Sequence, residues 1–333
     1  GKMIWGPSKS ETYLDAYGDQ LTTRQIAYHN LYTVGVAGVL RAYNVNTGEL
    51  VWSYAIDDPY TESLASNNWW SGIMFITDGK IYVGSSEHSA NQPLPRGAPF
   101  VCLNATDGSV IWRANGLFRQ TDWGGMAIIG DSIIATMDTY DQRIYAIGKG
   151  PTETAISANP KVTTYGSSIQ IEGTITDISP GTEDAALALR FPNGVPAVSD
   201  ESQSDWMLYV YKQFATPSNV TGVPVTLSVV DSNGNYRTIG STTTTADGFF
   251  SFNWKPDIEG QYTIYAFFAG SEAYWPSHDV TSFAVEPAAA TASPQSTVAP
   301  SMADLYFLPA IAGLFVAIII CIAMVALVLR KKP

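Results

Sequence analysis

Carboxylates and tryptophans are the side chains of this 333-residue chain that could act together on a ligand. Glu87, Asp122, Asp138 and Asp141 fall in short polar stretches between apolar runs, and Trp69, Trp70 and Trp123 lie near them in sequence. Aromatic faces beside carboxylates suit a sugar or a peptide. Trp69, Trp70, Glu87, Asp122, Trp123 and Asp138 therefore form the candidate ligand pocket. The competing reading is plain surface charge, the ordinary state of a solvated carboxylate. Nothing else suggests reaction chemistry. His29, His88 and His278 lack metal-ligand spacing, and two cysteines, Cys102 and Cys321, make neither a zinc site nor a disulfide framework. No Ser/His/Asp arrangement or phosphate loop stands out. No catalytic residue, metal or cofactor is assigned, and a non-enzyme is expected. The balance is acidic, net −12, which argues against nucleic acid as a partner.

The elements that would hold such a pocket are marked by a repeat. "AYNVNTGELVW" (Ala42 to Trp52) recurs as "CLNATDGSVIW" (Cys102 to Trp112), and "GKMIW" at the start puts Gly1 and Trp5 where Gly48 and Trp52 stand. "RAYNV" and "ELVWSY" are strand-like, and Asn46-Thr47-Gly48 is turn chemistry, so each motif is a hairpin. Earlier strands pair about His29-Asn30, Asp78-Gly79 and Gly130-Asp131. The units run from about 22 to 53, 72 to 113 and 125 to 148. The third has no Trp-bearing fourth strand, and residues 1 to 6 are an orphan strand.

The repeat resembles the Ala-x-Asp-x-x-Thr-Gly-x-x-x-Trp docking motif of quinoprotein-type β-propellers. Ala42, Asn44, Thr47, Gly48 and Trp52 match it, with Asn for Asp; Asn104, Asp107, Gly108 and Trp112 match it more loosely, with Cys102 in the Ala place. The resemblance covers residues 1–150 and implies that Gly1, Trp5, Gly48, Trp52, Gly108 and Trp112 dock one blade on the next rather than touch a cofactor. It also implies an adjacent cysteine pair and a calcium site for a quinone. No such pair exists, so pyrroloquinoline quinone is not expected to bind. With about three blades, the chain reads as the C-terminal part of a longer propeller cut inside a blade, its last blade taking a fourth strand from sequence upstream of Gly1.

From 151 to 286 the alternation of "SSIQIEGTITD", "VPVTLSVVD" and "GQYTIYAFFAG" gives some seven strands, hence a β-sandwich. Asp247-Gly248 is read as a hairpin turn, and "DSNGN" (Asp231 to Asn235) as another rather than a calcium loop. Gly270, Tyr274, Pro276 and Ser277 fit the ending of bacterial and archaeal Ig-like surface domains, which this region resembles. An insertion at 178–219 carries a helix of about Asp200 to Phe214, capped at Ser199 or Asp200. Its apolar face is expected to cover the sandwich; docking to the propeller or to another chain is the other reading.

Residues 287–304 are a Pro/Ala/Ser/Thr-rich stalk. Residues 305–329 are 25 positions without a charge, a transmembrane helix in contact with lipid. Arg330, Lys331 and Lys332, in the tail 330–333, place the C-terminus in the cytoplasm. What precedes is an ectodomain with 15 basic against 30 acidic residues. Asn219, in a polar loop, and Asn104, in a docking hairpin, are candidate glycosylation sites. The fold class is thus all-β: a partial propeller, an Ig-like sandwich and one C-terminal membrane helix. The expected function is a membrane-anchored, non-catalytic surface protein that binds or scaffolds other surface proteins or glycans. The alternatives are a tethered quinoprotein oxidoreductase active in missing blades, and a carbohydrate-binding protein of the cell envelope.

Overall fold

The computed structural model describes residues 1–6, 24–58, 68–87, 98–116, 120–121, 126–138, 141–288 and 299–331. Among the described residues the protein is mostly β, with several sheets, none closed, and one apolar helix at the C-terminal end. Residues 1–287 form one compact unit and 288–333 another.

The first sheet is an antiparallel meander of β1 (Arg24–Ala27), β2 (Asn30–Thr33), β3 (Val39–Asn44) and β4 (Leu50–Ala55). The second repeats it with β5 (Ser71–Thr77), β6 (Lys80–Glu87), β7 (Phe100–Asn104) and β8 (Val110–Ala114); short β9 (Gln120–Thr121) pairs with β6. The third has three strands, β10 (Ile128–Gly130), β11 (Ile133–Asp138) and β12 (Arg143–Ile147). Each opens with a two-residue hairpin whose turn residues both have positive φ: Tyr28-His29, Asp78-Gly79 and Asp131-Ser132. The first and third turns thus lie one residue before and one after the positions read from sequence. Apolar alternation fills the space between sheets. Leu40, Ala42, Ile73, Ile81, Val83, Val101 and Leu103 form one core, and Met74, Tyr82, Phe100 and Cys102 meet Ala127 and Ile134 in the next.

The sandwich follows. One sheet holds β13 (Thr152–Asn159), β15 (Ile169–Asp177), the two-residue β16 (Val195–Pro196) and β19 (Phe249–Trp254). The other runs in the order β14 (Val162–Thr164), β21 (Ser277–Glu286), β20 (Gly260–Phe268), β17 (Pro224–Val230) and β18 (Tyr236–Thr243). Ile169, Ile171 and Ile175 meet Val225, Leu227, Val229, Tyr262 and Ile264 in one core. The Asp247-Gly248 turn is not a hairpin: β18 pairs with β17, β19 pairs with β15, and the turn crosses between the sheets. Sheet-to-sheet packing overrides the local turn signal here. Thr244 exchanges two bonds with Val223, and Phe252 of β19 fills the space a side chain on Gly240 would need. Asp231 is a turn residue, accepting from the amides of Asn233 and Asn235 and paired with Arg237.

Between β15 and β17 lie a 3₁₀ turn (Pro180–Glu183), α1 (Ala185–Arg190) and α2 (Asp200–Lys212). Helix α2 ends two residues before Phe214 because Gln213 takes a left-handed conformation. Trp206 and Val210 of α2 bury against Leu187, Val195 and Val198, a small core separate from that of the sandwich. The insertion therefore packs largely on itself. In the second unit, α3 spans Met302–Arg330. It starts three residues before the charge-free run, since Ser301 and Asp304 form a reciprocal capping box.

Candidate functional site

The repeated tryptophans are seated on the turns of the following unit. Trp5 covers Gly48, where a Cβ would sit 2.5 Å from the ring, and donates Nε1–H to the Val45 carbonyl at 2.7 Å. Trp52 repeats this on Gly108, also 2.5 Å, and donates to the Ala105 carbonyl at 3.2 Å. Both glycines have φ above +70°, which opens the turn to the ring. Trp112 packs on Phe100, with ring centroids 5.4 Å apart, at the third sheet. Gly1 has nothing within 4 Å of its Cβ position and seats no ring. Asn104 is occupied as a turn former, accepting from the Thr106 amide at 2.8 Å, whereas Asn219 is exposed.

The aromatic–carboxylate pocket is not assembled from the described residues. Asp122, Trp123 and the Glu87 side chain lie outside them. Trp69 is a core residue, 3% exposed, between the first and second sheets. Trp70 offers its carbonyl to the Ser85 hydroxyl. Asp138 is buried and committed to a lysine that the sequence reading did not single out. Nor do the thiols suit a quinone, since Cys102 is buried in the sheet core with its thiol pushed up to about 11 by burial, and Cys321 lies in α3.

That lysine is Lys212, in the last turn of α2. Its ammonium reaches the Asp138 carboxylate and, at 2.8 Å, Asp141. It lies 4.5 Å over the Tyr145 ring, and the Tyr145 hydroxyl donates to Asp141 at 2.5 Å. The Lys212 and Asp138 side chains are 4% and 3% exposed, so this ion pair is dry. Burial pushes the Asp141 carboxyl up. The bonds from Lys212, Tyr145 and the Arg143 amide, with the ammonium's charge, outweigh that and hold it below the usual range. Burial and Asp141 push the Tyr145 phenol up. Ser204, two turns earlier on α2, donates to the Arg113 carbonyl of β8 at 2.8 Å. Helix α2 therefore docks on the second and third sheets with its polar face while its apolar face serves the insertion's own core. The connecting chain is pinned too: the Gly150 amide donates to Ala273, and Trp275 donates to Gly150, both at 2.8 Å.

A cleft of about 350 Å³ opens beside this ion cluster, lined by Gly116, Asp141, Arg143, Tyr211, Lys212, Gln213 and Phe214. It offers a guanidinium, an amide and aromatic surface where helix α2 meets the third sheet. It can hold and orient a polar group, and among the described residues those lining it form no nucleophile–base pair.

At its other end α2 is clamped to the sandwich. Asp200 accepts from the Ser271 hydroxyl at 2.7 Å and from the Glu272 and Ala273 amides at 3.0 and 2.9 Å. Burial raises its carboxyl, and these bonds outweigh that and lower it. A depressed folded value contributes stability above the unfolded carboxylate range, about pH 4, and loses it as pH falls through the folded value. Asp200→Ala is expected to cost about 1–3 kcal/mol at pH 7. The loss should shrink in acid when urea unfolding is compared at pH 7 and pH 3.

No protein-family model and no curated protein matches the chain. Among solved structures it is similar to BamB from Moraxella catarrhalis, at 11% identity over 71% of this chain and 72% of that one, with a TM-score of 0.23. It is also similar to the fibronectin(III)-like modules of CbhA from Clostridium thermocellum, at 13% identity over 62% and 86%, with a TM-score of 0.25. Superpositions this loose carry no argument about what the chain does.

Proposed function

We propose that the chain is a single-span, membrane-anchored surface protein whose sheet stack, of the quinoprotein-propeller type, binds or scaffolds other surface molecules without catalysis. The observation that carries this reading is α3. Its 29 residues extend about 44 Å, enough to cross a hydrocarbon core of about 30 Å, and none of them is buried within the protein. Arg330 and Lys331 at its end support a cytoplasmic C-terminus. The long tract of β modules, an Ig-like sandwich among them, then stands outside. A binding role is supported by the junction cleft, whose ligand would be a glycan or a peptide, and by Ile128, Ile133 and Ile144, which stay exposed on the third sheet.

Protease added to intact cells is expected to release the β modules as a soluble fragment by cutting between Pro287 and Met302. Alkaline carbonate should leave the undigested protein in the membrane. Protection of the β modules in intact cells, with cleavage only after lysis, would reverse the orientation. Extraction by carbonate would remove the anchor.

A further inference from the structure

The stack of three sheets has two ends, and both are apolar. Residues directly opposite each other in an antiparallel sheet share a face. In the second sheet Ile76, Ile81 and Leu103 stand in one such row and face the first sheet, with Ile81 and Leu103 fully buried. Counted from the hairpin turn, the same row of the first sheet is Ile26, Leu31 and Tyr43. No sheet covers it among the described residues: Ile26 is 72% exposed, and Leu31 and Tyr43 are only half-buried. At the other end, Ile134 and Ile147 form the row of the third sheet that packs on the second. The opposite face holds Ile128 in line with Ala135 and Ala146, and Met137 beside Ile144, which is 79% exposed.

The two ends thus present the two sides of a contact already made twice inside the stack. The tryptophan seats add a second match. Trp5 lies on Gly48 as Trp52 lies on Gly108, so residues 1–6 occupy the place of a fourth strand from a preceding sheet. Among the described residues they pair with no strand, and Met3 and Ile4 are exposed. The third sheet has only three strands, and the one described partner of β12 is β11. We propose that the third sheet of one copy of this chain packs on the first sheet of a second copy. Strand β12 then lies alongside residues 1–6 of that copy, whose Trp5 docks the pair as Trp52 docks the first sheet on the second. The contact joins two different patches, and two copies that each offer both can close on one another and leave neither end open. The proposal names the occupant of the apolar face given above as a binding surface, and rests on that reading.

Sedimentation of the full chain in detergent measures the association. Wild type is expected to self-associate. Ile144→Glu and Ile26→Glu, at opposite ends of the stack, should each weaken association about tenfold or more, the worth of one buried isoleucine. A mixed pair keeps one unaltered contact, the third sheet of Ile26→Glu on the first sheet of Ile144→Glu. The mixture should therefore associate more tightly than either variant alone. A monomeric wild type overturns the proposal, whether the faces stay bare or another part of the same chain covers them. So does an effect of Ile144→Glu without one of Ile26→Glu, which would mean that third sheets meet each other, and so does association through α3 that neither variant weakens. The single-span surface reading survives all of these, since carbonate and protease test it separately. Should either variant not fold, hydrogen exchange of wild type decides: β12 amides should gain protection as the protein associates, and unchanged exchange overturns the contact.

Discussion

Lys212→Ala is expected to destabilise the protein by about 3–5 kcal/mol, the usual loss when one partner of a dry ion pair is removed and the other stays buried. The group that loses this ammonium is Asp138, whose side chain is 3% exposed. Asp141, at 23%, can recover part of its hydration and contributes less. Urea unfolding of the detergent-solubilised protein measures the loss. The pH dependence gives the sign. Asp141 is held below the ordinary carboxylate range in the folded state, so its contribution is present above about pH 4 and disappears as pH falls through the folded value. The difference between wild type and Lys212→Ala should therefore narrow in acid. A loss below about 1 kcal/mol at pH 7, the scale of an exposed pair, would show that the junction is wet and that Lys212 is not its latch.

Gly108→Ala is expected to cost about as much as deleting a buried tryptophan contact, about 3–5 kcal/mol, although it adds a single methyl group. Its Cβ would meet the Trp52 ring at 2.5 Å, and the φ of +74° is strained for any L-residue. Gly79→Ala isolates the second effect: φ is +67°, and nothing lies within 4 Å of the new methyl. That variant should lose only the left-handed penalty, about 1–2 kcal/mol. The excess at Gly108 measures the seating of Trp52 on the next unit. Equal losses at the two positions would mean the ring is not held there, and the docking geometry would fall with it.

The sequence carried the docking contact because both halves of it repeat. A Thr-Gly or Asp-Gly turn and a tryptophan four residues later are local signals, and repetition removes the ambiguity of each. Sandwich faces were equally legible, since Ile169, Ile171 and Ile175, like Val225, Leu227 and Val229, alternate with the pleat and are buried as expected. The Asp247-Gly248 turn was misread for a physical reason. Turn residues state that the chain reverses, not which sheet receives the next strand. Lys212 was invisible as a site because its partners lie 71 and 74 residues away, and a lysine in the last turn of a helix already has a local explanation in the helix dipole. Trp69 failed as a pocket residue for the opposite cause: proximity in sequence to carboxylates says nothing about a side chain that the segment just before β5 turns into the core.

The pairing of β14 with β21 has a mechanical meaning. The two strands are parallel, with Val162 opposite Ala284 and Thr164 opposite Glu286. Bonds from Ala284 to the Lys161 carbonyl and from Tyr165 to the Glu286 carbonyl, at 3.0 and 2.8 Å, tie them, and the Lys161 ammonium donates to Thr281 at 2.5 Å. A pull on the chain beyond Glu286 draws β21 toward its C-terminal end. The opposing load arrives through β13 and draws β14 toward its N-terminal end. Parallel strands loaded this way slide along their common axis, so the cross-bonds share the force and must fail together instead of unzipping in turn. The sandwich is therefore wired to resist tension in shear, whenever its first strand and the chain beyond Glu286 are pulled apart.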